Sequence, residues 1–139
     1  MTVAIDLDVL GDTRPLWRDW LMDAARVLDV AGLPEDRTAA ASELDARGAG
    51  NWRTLLERFA EDRAPVYLRP AAEVSATLRA LHADGTRIVV FTDAPVELAR
   101  VALRQLGADR RIERVEATAP PAEIVVRSRV ELLRLRRSA

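Results

Sequence analysis

Two short apolar runs in this chain end abruptly in acids, and the segments between and after them repeat apolar residues every three or four positions. Val3-Ala4-Ile5 leads into Asp6-Leu7-Asp8, and Ile88-Val89-Val90-Phe91 leads into Thr92-Asp93. An apolar run without alternation predicts a strand buried on both faces, as at the centre of a parallel sheet. The acids then fall at the carboxyl ends of two strands, the edge where open α/β sheets bind ligands. Behind the first strand, Pro15 stands at a helix N1 position and Leu16, Trp17, Trp20, Leu21, Ala24, Val27 and Leu28 keep helical spacing, with a stop at Gly32 and Pro34. A weaker helix is predicted over 36–47. Asn51 is placed to cap a third, built on Trp52, Leu55, Leu56 and Phe59 and expected to end at Pro65. From Pro70 a further helix uses Val74, Leu78 and Leu81, with Gly85 suited to the position past its end. The helix after Pro95 buries Val96, Ala99, Ala102, Leu103 and Leu106 and stops at Gly107.

Beyond Gly107 the pattern offers a weak strand over 112–117, a second over 123–127 and a short Arg-rich helix. Parallel neighbours need a crossover of about a dozen residues or more. Only 118–122 separate these two, so one strand is absent, or the pair is antiparallel, or the sheet is rearranged. The three Trp fall at helical spacing, which assigns them to packing rather than to stacking on a nucleotide.

With 139 residues the chain supports one ordinary core, and a single domain carrying a helical insertion is the natural organisation. Its 21 basic residues are all Arg and meet 22 acids, for a net charge of −1; no basic field is present to neutralise nucleic-acid phosphates. The absence of Cys excludes disulfides and thiolate chemistry. No apolar run approaches the roughly 20 residues of a membrane span, and the first residues lack a basic leader, so a cytoplasmic location without membrane partners is expected.

The run Val3-Ala4-Ile5-Asp6-Leu7-Asp8, followed by Asp12-Thr13, resembles the first motif of the haloacid dehalogenase superfamily, most of whose members are phosphatases. Ile88-Val89-Val90-Phe91-Thr92-Asp93 resembles the second motif, and the helical stretch at about 14–69 lies where that superfamily inserts a small cap. The resemblance implies a single domain over 1–139: an α/β, Rossmann-like parallel sheet flanked by helices, with a helical cap inserted after the first strand. It also implies roles. Asp6 becomes the nucleophile that forms an aspartyl-phosphate, Asp8 the general acid and base, and both contact Mg2+. Thr92 is to bond a phosphoryl oxygen, aided by N–H groups near Ala94, with Asp93 and Arg127 as further substrate contacts. The implied substrate is a small phosphorylated molecule. Strand geometry independently allows the pairing of the two acids, since residues i and i+2 share a side about 6.6 Å apart.

The chain also departs from that pattern. Val9-Leu10-Gly11 follows Asp8 where the superfamily carries Gly, and a β-branched residue resists positive φ. No Lys is present for the charge-stabilising position, and Arg127-Ser128-Arg129 stands where acids complete the metal shell. Several residues have structural alternatives. Asp12 and Thr13 are placed to cap the Trp-rich helix, Thr92 to cap the helix after Pro95, and Asp93 to be a helix-start charge. Arg127 either pairs with Asp6 or Asp8 or is solvated, and the lone His82 has no imidazole partner for a metal. Two functions follow: a Mg2+-dependent phosphohydrolase, or a degenerate relative that binds a ligand or partner without turnover, Arg127 then supplying the positive charge.

Overall fold

The computed structural model describes residues 1–138, and within it the two acid-terminated runs lie side by side. Strand β1 (Thr2–Asp6) pairs in parallel with β2 (Arg87–Phe91) over its full length, from Thr2 opposite Arg87 to Asp6 opposite Phe91. Val3, Ala4 and Ile5 are fully buried, as are Val89 and Val90, which is why neither run alternates. The first strand is shorter than its sequence pattern, because the chain turns at Asp6 into a one-turn helix, α1 (Leu7–Leu10).

Three helices follow, α2 (Arg14–Val27), α3 (Arg37–Ala46) and α4 (Trp52–Tyr67), and then α5 (Ala72–Ala83) leads into β2. Helix α4 continues through Pro65 to Tyr67, two residues past the stop expected from sequence. Pro65 lacks the N–H that would bond the Glu61 carbonyl, so the helix continues with that one rung missing. The Tyr67 hydroxyl donates to Asp19 of α2 at 2.9 Å, which holds the last turn in place. Asn51 precedes α4 without making the side-chain cap that its identity led one to expect. Trp17, Trp20 and Trp52 are all nearly fully buried, in keeping with their packing role. The Trp17 and Trp52 indole N–H groups reach the Glu35 carbonyl and the Asp45 carboxylate, whereas that of Trp20 has no partner among the described residues.

The remaining elements are α6 (Val96–Gln105), a 3-10 turn at Asp109–Arg111, β3 (Arg114–Glu116), β4 (Ile124–Val126) and α7 (Arg129–Ser138). All four strands are parallel in the order β3-β2-β1-β4, giving an α/β, Rossmann-like sheet flanked by helices. This order resolves the crossover problem. Strands β3 and β4 are both present and parallel but sit on opposite edges, so the third arrangement left open by the sequence is the one found. Three strand spacings separate them, about 14 Å, and the eight steps from Glu116 to Ile124 can reach about 26 Å. A helix-free connection therefore suffices.

Helix α4 packs against α6 and α2, and α5 packs against α7. Buried Ala60 and Ala64 on α4, with Ala99 and Ala102 on α6, let those two helices approach closely. Buried side chains from α2, α3 and α4 belong to the same hydrophobic cluster as those of β1, β2 and α6. Gly11, at the end of α1, has extended backbone and sits in a tightly packed spot where a side chain would make Leu106 shift. A Cβ there would stand 2.9 Å from the Leu106 methyls and 3.3 Å from Leu68.

One shared core implies one cooperative transition. Leu56→Ala on α4, at a fully buried position, is expected to cost about 2–5 kcal/mol. Tryptophan fluorescence, which reports on the inserted helices, and far-UV circular dichroism should give coincident denaturation curves. Separate transitions would show that the inserted helices fold on their own.

Candidate functional site

Asp6 closes β1 and begins α1. Its backbone is extended, and its carboxylate accepts the Asp8 N–H at 3.0 Å. The two acids are therefore related by a capped helical turn, not by the alternation of an extended strand. The physical reason lies in their neighbours: Leu7, Val9 and Leu10 all need burial, and only a helical turn points all three inward. Val9 sits inside this turn, and Asp29 is the one non-glycine among the described residues with positive φ, so the missing Gly after Asp8 costs nothing.

Asp8 is engaged through both oxygens. Oδ1 accepts the Thr13 N–H at 2.9 Å and the Thr13 hydroxyl at 2.6 Å, and Oδ2 accepts Arg37 Nη2 at 3.1 Å. Thr13 is fully buried and makes no cap of α2. Its hydroxyl instead accepts Arg37 Nη1 at 2.6 Å and passes a hydrogen bond on to Asp8. Asp12 bonds the Arg14 N–H and forks onto the Arg14 guanidinium, at 2.8 and 3.0 Å. That hydrogen bond holds the Asp12 carboxyl below its usual range, against a smaller opposing effect of burial.

Arg37 is the residue that the sequence analysis missed. It opens α3 directly after Asp36, whose carboxylate caps the helix through the Ala39 N–H. Only 7% of Arg37 is exposed. Besides Asp8 and Thr13, it reaches Asp93 through Nε at 2.8 Å and Nη2 at 2.7 Å. One guanidinium thus links α3 to the ends of both central strands. A signal was available: a cation in the first helical turn opposes the helix dipole and calls for a carboxylate from elsewhere.

At the end of β2, Thr92 is buried and its Oγ1 accepts the Ala94 N–H at 3.1 Å. Of the N–H groups near Ala94 expected to be free for a phosphoryl oxygen, that of Ala94 itself is therefore occupied, while the Thr92 hydroxyl proton remains available to a ligand. Asp93 serves as a partner of Arg37. Arg127, just past β4, forms neither of the ion pairs considered for it and holds its guanidinium 5.1 Å over the Phe91 ring. A cleft of about 520 Å³ brings together Asp6, Asp8, Thr92, Asp93, Arg127 and Arg37. Ala117, Thr118 and Ala119, from the helix-free connection, line it as well. A neighbouring lobe of about 370 Å³ shares Asp6, Asp8, Arg14 and Arg127 and adds Asp12, Ser128 and Arg129.

The donor set does not fit Mg2+. The larger cleft already balances Asp6, Asp8 and Asp93 against Arg14, Arg37 and Arg127. Both Asp8 oxygens are committed, and among the described residues no three His, Cys, Asp or Glu side chains group to hold a metal. Unit charges 4 Å apart near a protein surface interact by about 4 kcal/mol, so a divalent ion that close to one guanidinium would meet about twice that repulsion. No helix among the described residues is long and apolar enough to cross a membrane.

Two variants probe this network. Thr13→Val keeps the volume but leaves Arg37 Nη1 without its acceptor and removes the hydroxyl bond to Asp8 Oδ1, and should lower stability by about 1–3 kcal/mol, whereas Thr13→Ser should restore most of it. The second reads out in pH. Because the folded Asp12 carboxyl lies below its usual 3.8, its stabilisation is complete above that value and is lost as pH falls through the folded one. Asp12→Asn should therefore flatten the acid limb of stability against pH, measured by denaturant unfolding.

No family model matches the chain, and no curated protein matches it. Among solved structures, the crystal structure of a putative beta-phosphoglucomutase from Thermotoga maritima matches with a TM-score of 0.50 at 18% identity. The match covers 83% of this chain and 60% of that one, so this chain spans less than two thirds of its neighbour's length. At this identity the likeness speaks for a shared α/β fold alone.

Proposed function

We propose that the chain is a phosphohydrolase of haloacid dehalogenase type that acts on a small phosphomonoester with Asp6 as nucleophile. The observation that carries this reading is the state of Asp6. It lines both lobes of the cleft, and among the described residues its carboxylate accepts a single hydrogen bond, from the Asp8 N–H, and has no cation within ion-pair distance. That bond aims the carboxylate while leaving an oxygen free to attack. Thr92 stands at the adjoining strand end, and Arg127 offers an uncommitted positive charge to a phosphoryl group.

In this scheme an Asp6 oxygen attacks phosphorus and the ester P–O bond breaks. The leaving oxygen takes a proton from Asp8, and an acyl phosphate remains on Asp6. Water then attacks phosphorus and returns its proton to Asp8, and the Asp6 carboxylate departs as inorganic phosphate is released. The superfamily likeness of the fold supports the scheme coarsely, as a phosphatase or mutase type.

A second reading is favoured by one observation: both Asp8 oxygens are held by Thr13 and Arg37, which hinders proton exchange. In that version the cleft binds a phosphorylated ligand without turnover. Phosphate release from p-nitrophenyl phosphate, measured with and without Mg2+, separates the two. Turnover should fall by about 100-fold or more in Asp6→Asn, with thermal unfolding unchanged. Binding of inorganic phosphate without any release would favour the second reading.

A further inference from the structure

From the contacts of Arg37 we infer that this guanidinium, together with Arg127, takes the charge-balancing place of a divalent cation, so that the site binds its phosphate group without metal. The inference rests on the phosphate-binding reading above and goes beyond it. It starts from an unusual arrangement: a nearly buried guanidinium whose three nitrogens all face the end of the sheet, bonded to Asp8, Thr13 and Asp93. Two carboxylates from adjoining strand ends would otherwise repel, and each would gain from a shared cation. Arg37 is that cation, and it comes from the chain itself.

The fork geometry gives Arg37 more than charge. Planar donors fix Asp8 and Asp93 at defined angles, which a spherical ammonium would not do. Arg37 touches no substrate in this scheme; it positions Asp8. Arg127 is complementary to it. It is exposed, it lines the cleft beside Asp6, and its contact is the face of Phe91 rather than an acid. A phosphate entering the cleft therefore meets one committed guanidinium that holds the acids in place and one that is free to bind it.

The test uses the purified chain in EDTA and in millimolar Mg2+, with two readouts: thermal midpoint, and binding of inorganic phosphate by calorimetry. Wild type should show equal Tm in both buffers and phosphate affinities within about twofold of each other. Arg37→Met frees Asp8 and Asp93 from their cation and should acquire a Mg2+-dependent rise in Tm. Arg37→Lys, which keeps a charge, should not. Should Arg37→Met fail to fold, Arg127→Asp at an exposed position gives the same readout, because it removes a cation beside Asp6 and adds an oxygen donor. Stabilisation of wild type by Mg2+, or phosphate binding that requires it, would overturn the inference and leave the phosphohydrolase reading standing. Absence of phosphate binding in both buffers would overturn both.

Discussion

The arrangement of this site depends on where one guanidinium charge comes to rest. Arg37 begins a helix far along the chain from Asp93 and well after Asp8, yet it is bonded to both and to the buried Thr13 hydroxyl, which in turn bonds Asp8. Removing one partner from a buried ion pair strands the other charge, which is far more costly than the pair's own net gain. The contact therefore acts as a constraint more than as a source of stability. It fixes how the inserted helices meet the sheet, and it fixes the direction in which Asp8 points.

That constraint leaves a division of labour among the acids at the sheet edge. Asp8 and Asp93 are spoken for, and Asp12 is paired with Arg14. Asp6, among the described residues, has a carboxylate that accepts only a backbone N–H, and it lines the cleft. A carboxylate that is aimed but not neutralised suits a nucleophile, and the uncommitted Arg127 lining the same cleft suits an anionic group on its substrate. The helix-free link between β3 and β4 contributes as well. It carries residues 117–119 along the mouth of the same cleft, where a longer crossover would have run behind the sheet.

Much of this was legible beforehand because it rests on local pattern. Unbroken apolar runs ending in Asp6 and in Thr92-Asp93 located two central parallel strands, and their ends do line one cleft. Trp17, Trp20 and Trp52 at helical spacing are core residues. Where the local reading failed, burial or a tertiary contact had overruled it. Leu7, Val9 and Leu10 pulled the chain after Asp6 out of the strand into a helical turn, and the contact between Tyr67 and Asp19 carried α4 past Pro65.

The sequence by itself determined the strand ends, the helical insertion and the identity of the acids, since hydrophobic periodicity is written residue by residue. Only the tertiary structure decided which cation each acid would meet. Long-range pairing depends on which elements become neighbours: β4 joins the edge beside β1 instead of beside β3, and α3 delivers Arg37 to the carboxyl edge. Spacing along the chain carries no information about such encounters, because a guanidinium finds its carboxylate through space and only after the core has closed around both.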